Sequence, residues 1–393
     1  MPSVTHMYSH RLMSIVHSVK VKTAITSMTA YIIRRLLLMI PTLLAIMIVN
    51  FFIIQVAPGG PVEQVLANLA GIGDAMTERI TRSDGGEIVL KKNTSNDHNS
   101  KYRGAQGLDP TFLRELEKQF GFDRPLHARF FLMMKQYAVF DFGESYYRDR
   151  NVVDLVLDKM PVSISLGLWT TLLVYLISIP LGIAKAARDG SRFDVWTSII
   201  VFVAYAIPGF LFAIFLLILF ASGNPFDWFP LARLSSENWD QLGWAARIVD
   251  YFWHLTLPIV AMTIGGFAGL TMLTKNSFLD QINQQYVLTA RAKGLTERRV
   301  LYGHVFRNAM LIVIAGFPGA FIGILFTGSL FIEIIFSLDG LGLLGFEAAL
   351  NRDYPVMFAS LYFFSLLGLL MNLVGDLMYM IIDPRIDFET REV

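Results

Sequence analysis

The sequence predicts an all-α, polytopic membrane protein. Hydrophobic residues make up 54% of its 393 positions and mean hydropathy is +0.50, too apolar for one soluble domain. Six windows also reach the length of about 20 apolar residues needed to cross roughly 30 Å of hydrocarbon. They lie at 31–56, 163–186, 195–221, 254–275, 309–335 and 357–382. An even number of spans places both termini on one side. Cysteine is absent, so disulfide, thiolate and zinc-thiolate chemistry are excluded.

Residues 1–30 lack the apolar core of a cleavable signal, and the run from Ile32 is too long for one. The first span is therefore expected to be an uncleaved anchor preceded by an N-terminal extension. Arg34 and Arg35 open that span, while Lys185, Arg188 and Arg192 lie between spans two and three. Lys275, Arg291, Lys293, Arg298, Arg299 and Arg307 cluster around the 276–308 loop. Short loops rich in Lys and Arg face the cytoplasm, which orients both termini and the 383–393 tail inward. The opposite loop at 222–253 carries Trp228, Trp239, Trp244 and Trp253 with Asp227, Glu237, Asp240 and Asp250, and the 336–356 loop carries Asp339, Glu347 and Asp353. Acids and interfacial tryptophans suit an exterior face.

The external region at 57–162 is too long for a simple loop. Thr111–Gly121 has helical spacing with a terminal glycine, and His127–Phe140 is a second amphipathic candidate. The stretch 82–107 is rich in Ser, Asn, Asp, Gly and Lys and has too little apolar surface to fold alone, so a mobile insertion is expected there. The region could touch a delivery protein or pack as a lid on the protein's own outer mouth.

Two strings resemble catalytic motifs without their context. Gly340-Leu341-Gly342-Leu343-Leu344-Gly345 fits a dinucleotide fingerprint but follows a membrane helix rather than a buried strand. Asp141-Phe142-Gly143 has none of the other kinase elements around it and reads as a turn. No Gly-x-x-x-x-Gly-Lys-Ser/Thr loop occurs, so ATP, if used, must bind another subunit. The scattered histidines offer no paired ligand set, and no metal site is expected.

Ionisable groups inside the spans test for an ion-coupled carrier, because each costs roughly 2.5–3.5 kcal/mol on insertion scales and is retained for function. Only Glu333 and Asp376 stand out. Glu333 is expected to snorkel outward from the end of span five, and Asp376 to reach the cytoplasmic end of span six. Both read as structural, which moves the energy source outside the chain. Small residues in spans four and five, Gly265 and Gly269, then Gly316, Pro318, Gly319 and Gly323, are candidates for close helix packing and for the pore wall. Pro208-Gly209 and Pro318 should kink their helices.

One segment stands apart from this pattern. Tyr286, Val287, Leu288, Thr289, Ala290, Arg291, Ala292, Lys293, Gly294 and Leu295 form a small-residue, basic stretch between two apolar helices. A short helix ended by a left-handed glycine would present a compact knob to a partner. The stretch resembles the cytoplasmic coupling loop of ABC-importer permeases of the peptide (dipeptide/oligopeptide) branch. Tyr31-Ile32-Ile33-Arg34-Arg35-Leu36-Leu37, Ala57-Pro58-Gly59-Gly60-Pro61, Phe120-Gly121-Phe122-Asp123-Arg124-Pro125-Leu126, Asp141-Phe142-Gly143-Glu144-Ser145, His254-Leu255-Thr256-Leu257-Pro258, Arg307-Asn308-Ala309 and Asp383-Pro384-Arg385 extend the likeness along the chain. The external insertion makes it most similar to Yej-type importers of peptides and microcin C. Met28-Thr29-Ala30-Tyr31 resembles the start of such chains, which would leave 1–27 as an extension or an ordinary cytoplasmic tail. Leu288-Thr289-Ala290 departs from the general Glu-Ala-Ala pattern, and no Ile-x-Leu-Pro follows Gly294.

The resemblance implies a type I ABC-importer permease with six transmembrane helices in a bacterial inner membrane. It implies a second, related permease as heterodimer partner, ATPase subunits or a fused tandem ATPase below, and a periplasmic substrate-binding protein above. The substrate would be a peptide, with ATP and Mg held by partner subunits and no cofactor or nucleic acid bound by this chain. A permease for nickel or another small solute is the alternative within the fold. A secondary carrier or channel is the alternative outside it.

Overall fold

The protein is described by a computed structural model over residues 29–53, 118, 123–221, 223, 226–323 and 330–382. The expected insertion at 82–107, the 111–121 helix apart from Lys118, the N-terminal extension and the 383–393 tail fall outside these residues. Five described helical stretches are long and apolar enough to cross a membrane: Thr29–Ile53 (α1), Val152–Ala187 (α3), Trp244–Ile282 (α6), Glu297–Gly323 and Tyr354–Tyr379. A sixth arises if Arg192–Ala206 (α4) and Gly209–Phe220 (α5) count as one span, bent by 89° at Ile207-Pro208. The kink expected at Pro208 is therefore a sharp corner. Proline cannot donate the helical N–H, and the residue before it is pushed to extended backbone; Ile207 has ψ 120°.

The fold divides into two compact units, residues 1–46, 165–337 and 364–393 in one and 47–164 and 338–363 in the other. The first is organised on α6, which packs against α4, α5 and Phe306–Ala315 (α9). The buried positions of α6 include His254, Leu257, Ala261, Ala268, Thr271, Thr274 and Phe278, spaced by three, four or seven residues as one helix face requires. Close approaches set its neighbours. A Cβ on Gly182 of α3 would stand 2.6 Å from Thr274 Cβ and 2.8 Å from Thr271 O, and one on Gly266 would stand 2.7 Å from Val174 Cγ2.

Four glycines expected to mediate such contacts do not do so among the described residues. A Cβ on Gly265, Gly269, Gly319 or Gly323 would meet nothing within 4 Å, so the small-residue pairs do not bring helices of this chain together. Of the three span-four glycines the sequence offers for packing, Gly265, Gly266 and Gly269, it is Gly266 that meets a neighbour among the described residues, Val174. Gly316 and Pro318 do lie at contacts: a Cβ on Gly316 would be 3.7 Å from Tyr175 Oη of α3, and one on Gly375 would be 3.1 Å from Pro318 Cγ. The helix breaks between α9 and Phe317–Gly323 (α10), where proline lacks an N–H for the preceding turn. Leu330–Ile335 (α11) follows, packed on α5 and α6.

Asp376 on Tyr354–Ile382 (α13) accepts from Tyr31 Oη at 2.8 Å and pairs with Arg35 Nη2 at 2.9 Å, tying the first helix to the last. Glu333 contradicts its expectation. Its side chain is wholly buried on α11 and does not reach water within this chain, because the buried face of that short helix carries both Ile332 and Glu333.

The second unit gathers Leu126–Ala138 (α2), the first turns of α3, Leu341–Asn351 (α12) and the start of α13. Phe142 is its anchor, with ring centroids 4.5 Å from Tyr137, 5.3 Å from Tyr362 and 5.2 Å from Phe363. The kinase-like string is a turn, in which Gly143 takes φ +75° and its N–H donates to Asp141 Oδ1 at 3.1 Å. The residue that follows the turn fastens it: Ser145 Oγ donates to Asp353 Oδ2 at 2.5 Å, and Tyr146 N–H donates to Asp353 Oδ1 at 3.3 Å. The connection expected to be a loop at 336–356 contains α12, whose Leu341, Leu344 and Ala348 are buried on one face. Its first N–H donates to Ser163 Oγ at 2.8 Å, so the Gly340-Leu341-Gly342 string opens a packed helix.

Candidate functional site

The 286–295 stretch folds as the sequence proposes at its core. Gln285–Ala292 (α7) is a two-turn helix whose Val287 and Ala290 point inward and whose Leu288, Thr289, Arg291 and Ala292 face out. Thr289 Oγ1 donates to Gln285 O at 3.0 Å and Tyr286 Oη to Gln281 Oε1 at 2.9 Å, holding the helix to its own approach. Gly294 ends it with φ +80°. Its N–H reaches Arg291 O at 2.9 Å and that of Leu295 reaches Ala290 O at 3.3 Å, the paired 5→2 and 6→1 bonds that satisfy the last carbonyls of a helix. Only glycine takes that backbone region at no steric cost, which is why it stands at 294.

The chain then turns back through Glu297–Val300 (α8) and a π-helical turn at Leu301–Val305 into α9. A single apolar cluster seats the whole loop. Val287 and Ala290 of α7, Val300 of α8, and Val305, Ala309, Met310 and Val313 of the returning helix close on Ile183 and Ala186 of α3 and Phe278 of α6. Ser277 Oγ donates to Ala309 O at 2.6 Å and Tyr175 Oη to Val313 O at 3.2 Å, adding polar ties among the same helices. A displacement of α7 thus acts on α3, α6 and α9 at once, since packed interiors do not compress to absorb it.

The exposed face is mixed. Leu288 is 58% exposed, and Thr289, Arg291 and Ala292 are exposed beside it. Arg291 is not a free charge: Nε lies 2.9 Å from Glu297 Oε1 and Nη2 3.1 Å from Oε2, a two-pronged pair across the turn. Lys293 is exposed and makes no ion pair among the described residues. The outward surface is therefore Leu288, Ala292 and Lys293 around a neutralised arginine. Beside it a cleft of about 310 Å³ opens between the end of α3 and the α8 turn, with Arg291, Glu297 and Arg298 on its rim.

Sequence reasoning treated Lys185 and Lys275 as topological cations, and the structure makes them the centre of a polar cluster. Lys185 is wholly buried; its Nζ sits 2.9 Å from Asp194 Oδ1 and donates to Asp194 O at 2.8 Å, Thr197 Oγ1 at 3.0 Å and Ser198 Oγ at 2.6 Å. Lys275 Nζ lies 2.7 Å from Asp194 Oδ2 and 2.8 Å from Asp189 Oδ1. The available signal was the acid at 189 and at 194 within a loop read only for its cations.

Residues 178–388 match the model of a binding-protein-dependent transport system inner membrane component. The chain is 61% identical over 366 residues to a peptidoglycan transport system permease protein YejB of Agrobacterium fabrum, covering 93% of this chain and all of that one. It is 57% identical over 368 residues to an inner membrane ABC transporter permease protein YejB of Escherichia coli O157:H7, with 93% and 100% covered. An oligopeptide transport system permease protein AppB of Bacillus subtilis is 34% identical over 362 residues, with 92% and 100% covered.

Proposed function

Because this chain belongs to the inner membrane components of binding-protein-dependent transport systems, we propose that it is the permease subunit of an ATP-driven peptide importer, with 286–299 as its ATPase-coupling loop. The near full-length likeness to two YejB permeases, of the Yej-type peptide importers, carries the importer reading. The seating of α7 on a cluster shared by α3, α6 and α9 supports the coupling assignment. The chain pairs with a second, related permease, takes peptide from a periplasmic binding protein, and leaves ATP and Mg to ATPase subunits or a fused tandem ATPase. Both termini face the cytoplasm, in keeping with the basic loops.

In this reading, closure of the ATPases pushes α7, and the seat passes the movement to the helices around the path. Leu288 and Ala292 enter the partner's groove, with Lys293 supplying charge complementarity. A Cβ on Gly265, Gly269 or Gly319 would meet nothing within 4 Å among the described residues, which suits a face turned to the second permease or to the path. Peptides are the cargo class. The Agrobacterium relative is named for peptidoglycan transport, and the Yej-type resemblance extends the cargo class to microcin C-like conjugates.

The test is purification of the tagged chain in mild detergent, identification of what accompanies it, and reconstitution with a periplasmic peptide-binding protein from the same organism. Recovery of a second permease and an ATPase, with peptide uptake that needs ATP and the binding protein, is the expected result. A lone chain or a homo-oligomer without ATPase activity overturns the proposal.

A further inference from the structure

We propose that Lys185, Asp194, Lys275 and Asp189 form a clamp that makes the inner ends of α3, α4 and α6 move as one body, and so act as positioning residues in coupling ATP hydrolysis to transport. The inference rests on the importer reading above.

The clamp is built in two layers. The inner layer closes the α3–α4 turn on itself: Lys185 sits near the end of α3, and its Nζ meets Asp194 Oδ1 and O, Thr197 and Ser198, all on α4. Asp194 is itself prepared by the turn. It lies in the first turn of α4, where a carboxylate suits the helix N-terminus; Gly190 N–H donates to its Oδ2 at 3.2 Å, and Ser191 Oγ caps the helix by accepting from its N–H at 3.3 Å. The outer layer is a single side chain. Lys275, 12% exposed, crosses from α6 to both acids of the turn.

Burying a lysine this completely is costly unless every donor is met, and here oxygens of Asp194, Thr197 and Ser198 supply the partners. Replacing such a pair by apolar side chains is often neutral or stabilising, so stability alone is weak reason for the arrangement. Its location supplies a stronger one. Lys185 stands between Ile183 and Ala186, and Lys275 stands one turn before Phe278, and those three apolar residues are the part of the seat beneath α7 contributed by α3 and α6. The same two helix ends therefore carry both the surface that receives the push and the clamp that joins them. Next to it, Gly182 packs closely on Thr271 and Thr274, and the hydrogen bond from Ser178 Oγ to Phe267 O at 3.4 Å lies farther from α7, so Lys275 is the polar tie nearest the seat. With Lys275 in place, a load arriving through Val287 and Ala290 shifts α3, α4 and α6 together. Without it, the ends of α3 and α6 beneath α7 lose their polar tie, and part of the load is taken up as movement between them.

The experiment compares Lys275→Met, Lys275→Arg and Asp189→Ala with the wild-type complex in proteoliposomes, reading peptide uptake and ATP hydrolysis in the same preparation. Lys275→Met should hydrolyse ATP near the wild-type rate while uptake per ATP falls about tenfold, the scale on which loss of a buried pair biases a two-state element. Lys275→Arg, which keeps the cation and its reach, should restore the ratio to within about twofold. A merely structural role would lower uptake and hydrolysis together, so an unchanged uptake-to-hydrolysis ratio in Lys275→Met overturns the clamp. If Lys275→Met does not assemble, Asp189→Ala decides, because Asp189 is half-exposed and its truncation removes one of the two carboxylates that Lys275 meets: a lowered ratio supports the clamp and a wild-type ratio overturns it. Absence of ATP-dependent uptake by the wild-type complex is a separate result, and sinks the importer reading itself.

Discussion

Arg291 and Glu297 face each other across the turn that ends α7, joined by two contacts of 2.9 and 3.1 Å. The arginine's charge is thereby spent within the loop, holding α8 beside α7, rather than offered to a partner. An exposed pair contributes at most about 1 kcal/mol, but two-pronged geometry fixes orientation as well. Arg291→Glu should lower ATP-dependent uptake several-fold while the chain still inserts and copurifies with its permease partner. The exchanged double variant, Arg291→Glu with Glu297→Arg, should recover most of the uptake. A double variant no better than the single would return Arg291 to the docking surface.

Gly294 should tolerate only residues that accept the left-handed region. Forcing a β-branched side chain to φ +80° costs roughly 1–2 kcal/mol and unseats the two bonds that close α7. Gly294→Val is expected to abolish uptake without loss of membrane insertion, and Gly294→Asn to retain a substantial part of it. Equal uptake by both variants would show that the cap has no part in coupling.

Gly182 and Gly269 make a controlled pair. A methyl at 182 would overlap Thr274 and the carbonyl of Thr271, whereas one at 269 meets open space among the described residues. Gly182→Ala should lower the thermal midpoint of the detergent-solubilised chain, the overpacking cost being about 1–3 kcal/mol. Gly269→Ala in the isolated chain should leave the midpoint unchanged. If Gly269→Ala instead weakens copurification of the second permease, its face belongs to that interface.

Asp353 gives the second unit a pH dependence. Burial pushes its carboxyl above the ordinary carboxylate range, against the hydrogen bonds from Ser145 and from the Tyr146 and Val356 backbone and the nearby Arg148 charge, which favour the ionised form. A raised folded-state value means the folded state holds the proton more tightly than the unfolded chain. This contribution is complete below the unfolded value of about 3.9, and is lost as pH rises through the higher folded value. Asp353→Asn, still able to accept from Ser145, should flatten that part of the stability-versus-pH curve measured by thermal unfolding. An unaltered curve would show that another group is responsible.

Phe142 should be the costliest single truncation in the second unit. Its ring is 3% exposed and contacts Tyr137, Tyr362 and Phe363, so Phe142→Ala is expected to lose about 3–5 kcal/mol and to expose the 141–151 turn to proteolysis. Limited digestion of the purified chain provides the readout.

Several of these relationships could be read from sequence because they are local. Apolar runs report helices whatever they pack against, and glycine at 294 reports a backbone angle that depends on its immediate neighbours. The corner at Pro208 follows from the missing N–H and the restricted residue before it. The turn at Asp141-Phe142-Gly143 follows from an aspartate reaching its own backbone two residues on. Helix α12 was legible too, in Leu341, Leu344 and Ala348, but its glycines were weighed only against a dinucleotide fingerprint.

What the sequence determined by itself is the membrane class, the run of helices and the position of one basic, glycine-ended knob, because length, period and backbone angle are properties of short stretches. What only the tertiary structure decided is which charge meets which. Lys185 and Lys275 look like any inward-facing cations until α3, α4 and α6 bring Asp189 and Asp194 within 3 Å of them. Glu333 looks able to reach water until α11 is packed on α5 and α6. The faces of Gly265 and Gly266 differ by one residue in sequence but by about 100° around the helix, and that rotation is set by all the contacts of α6 together.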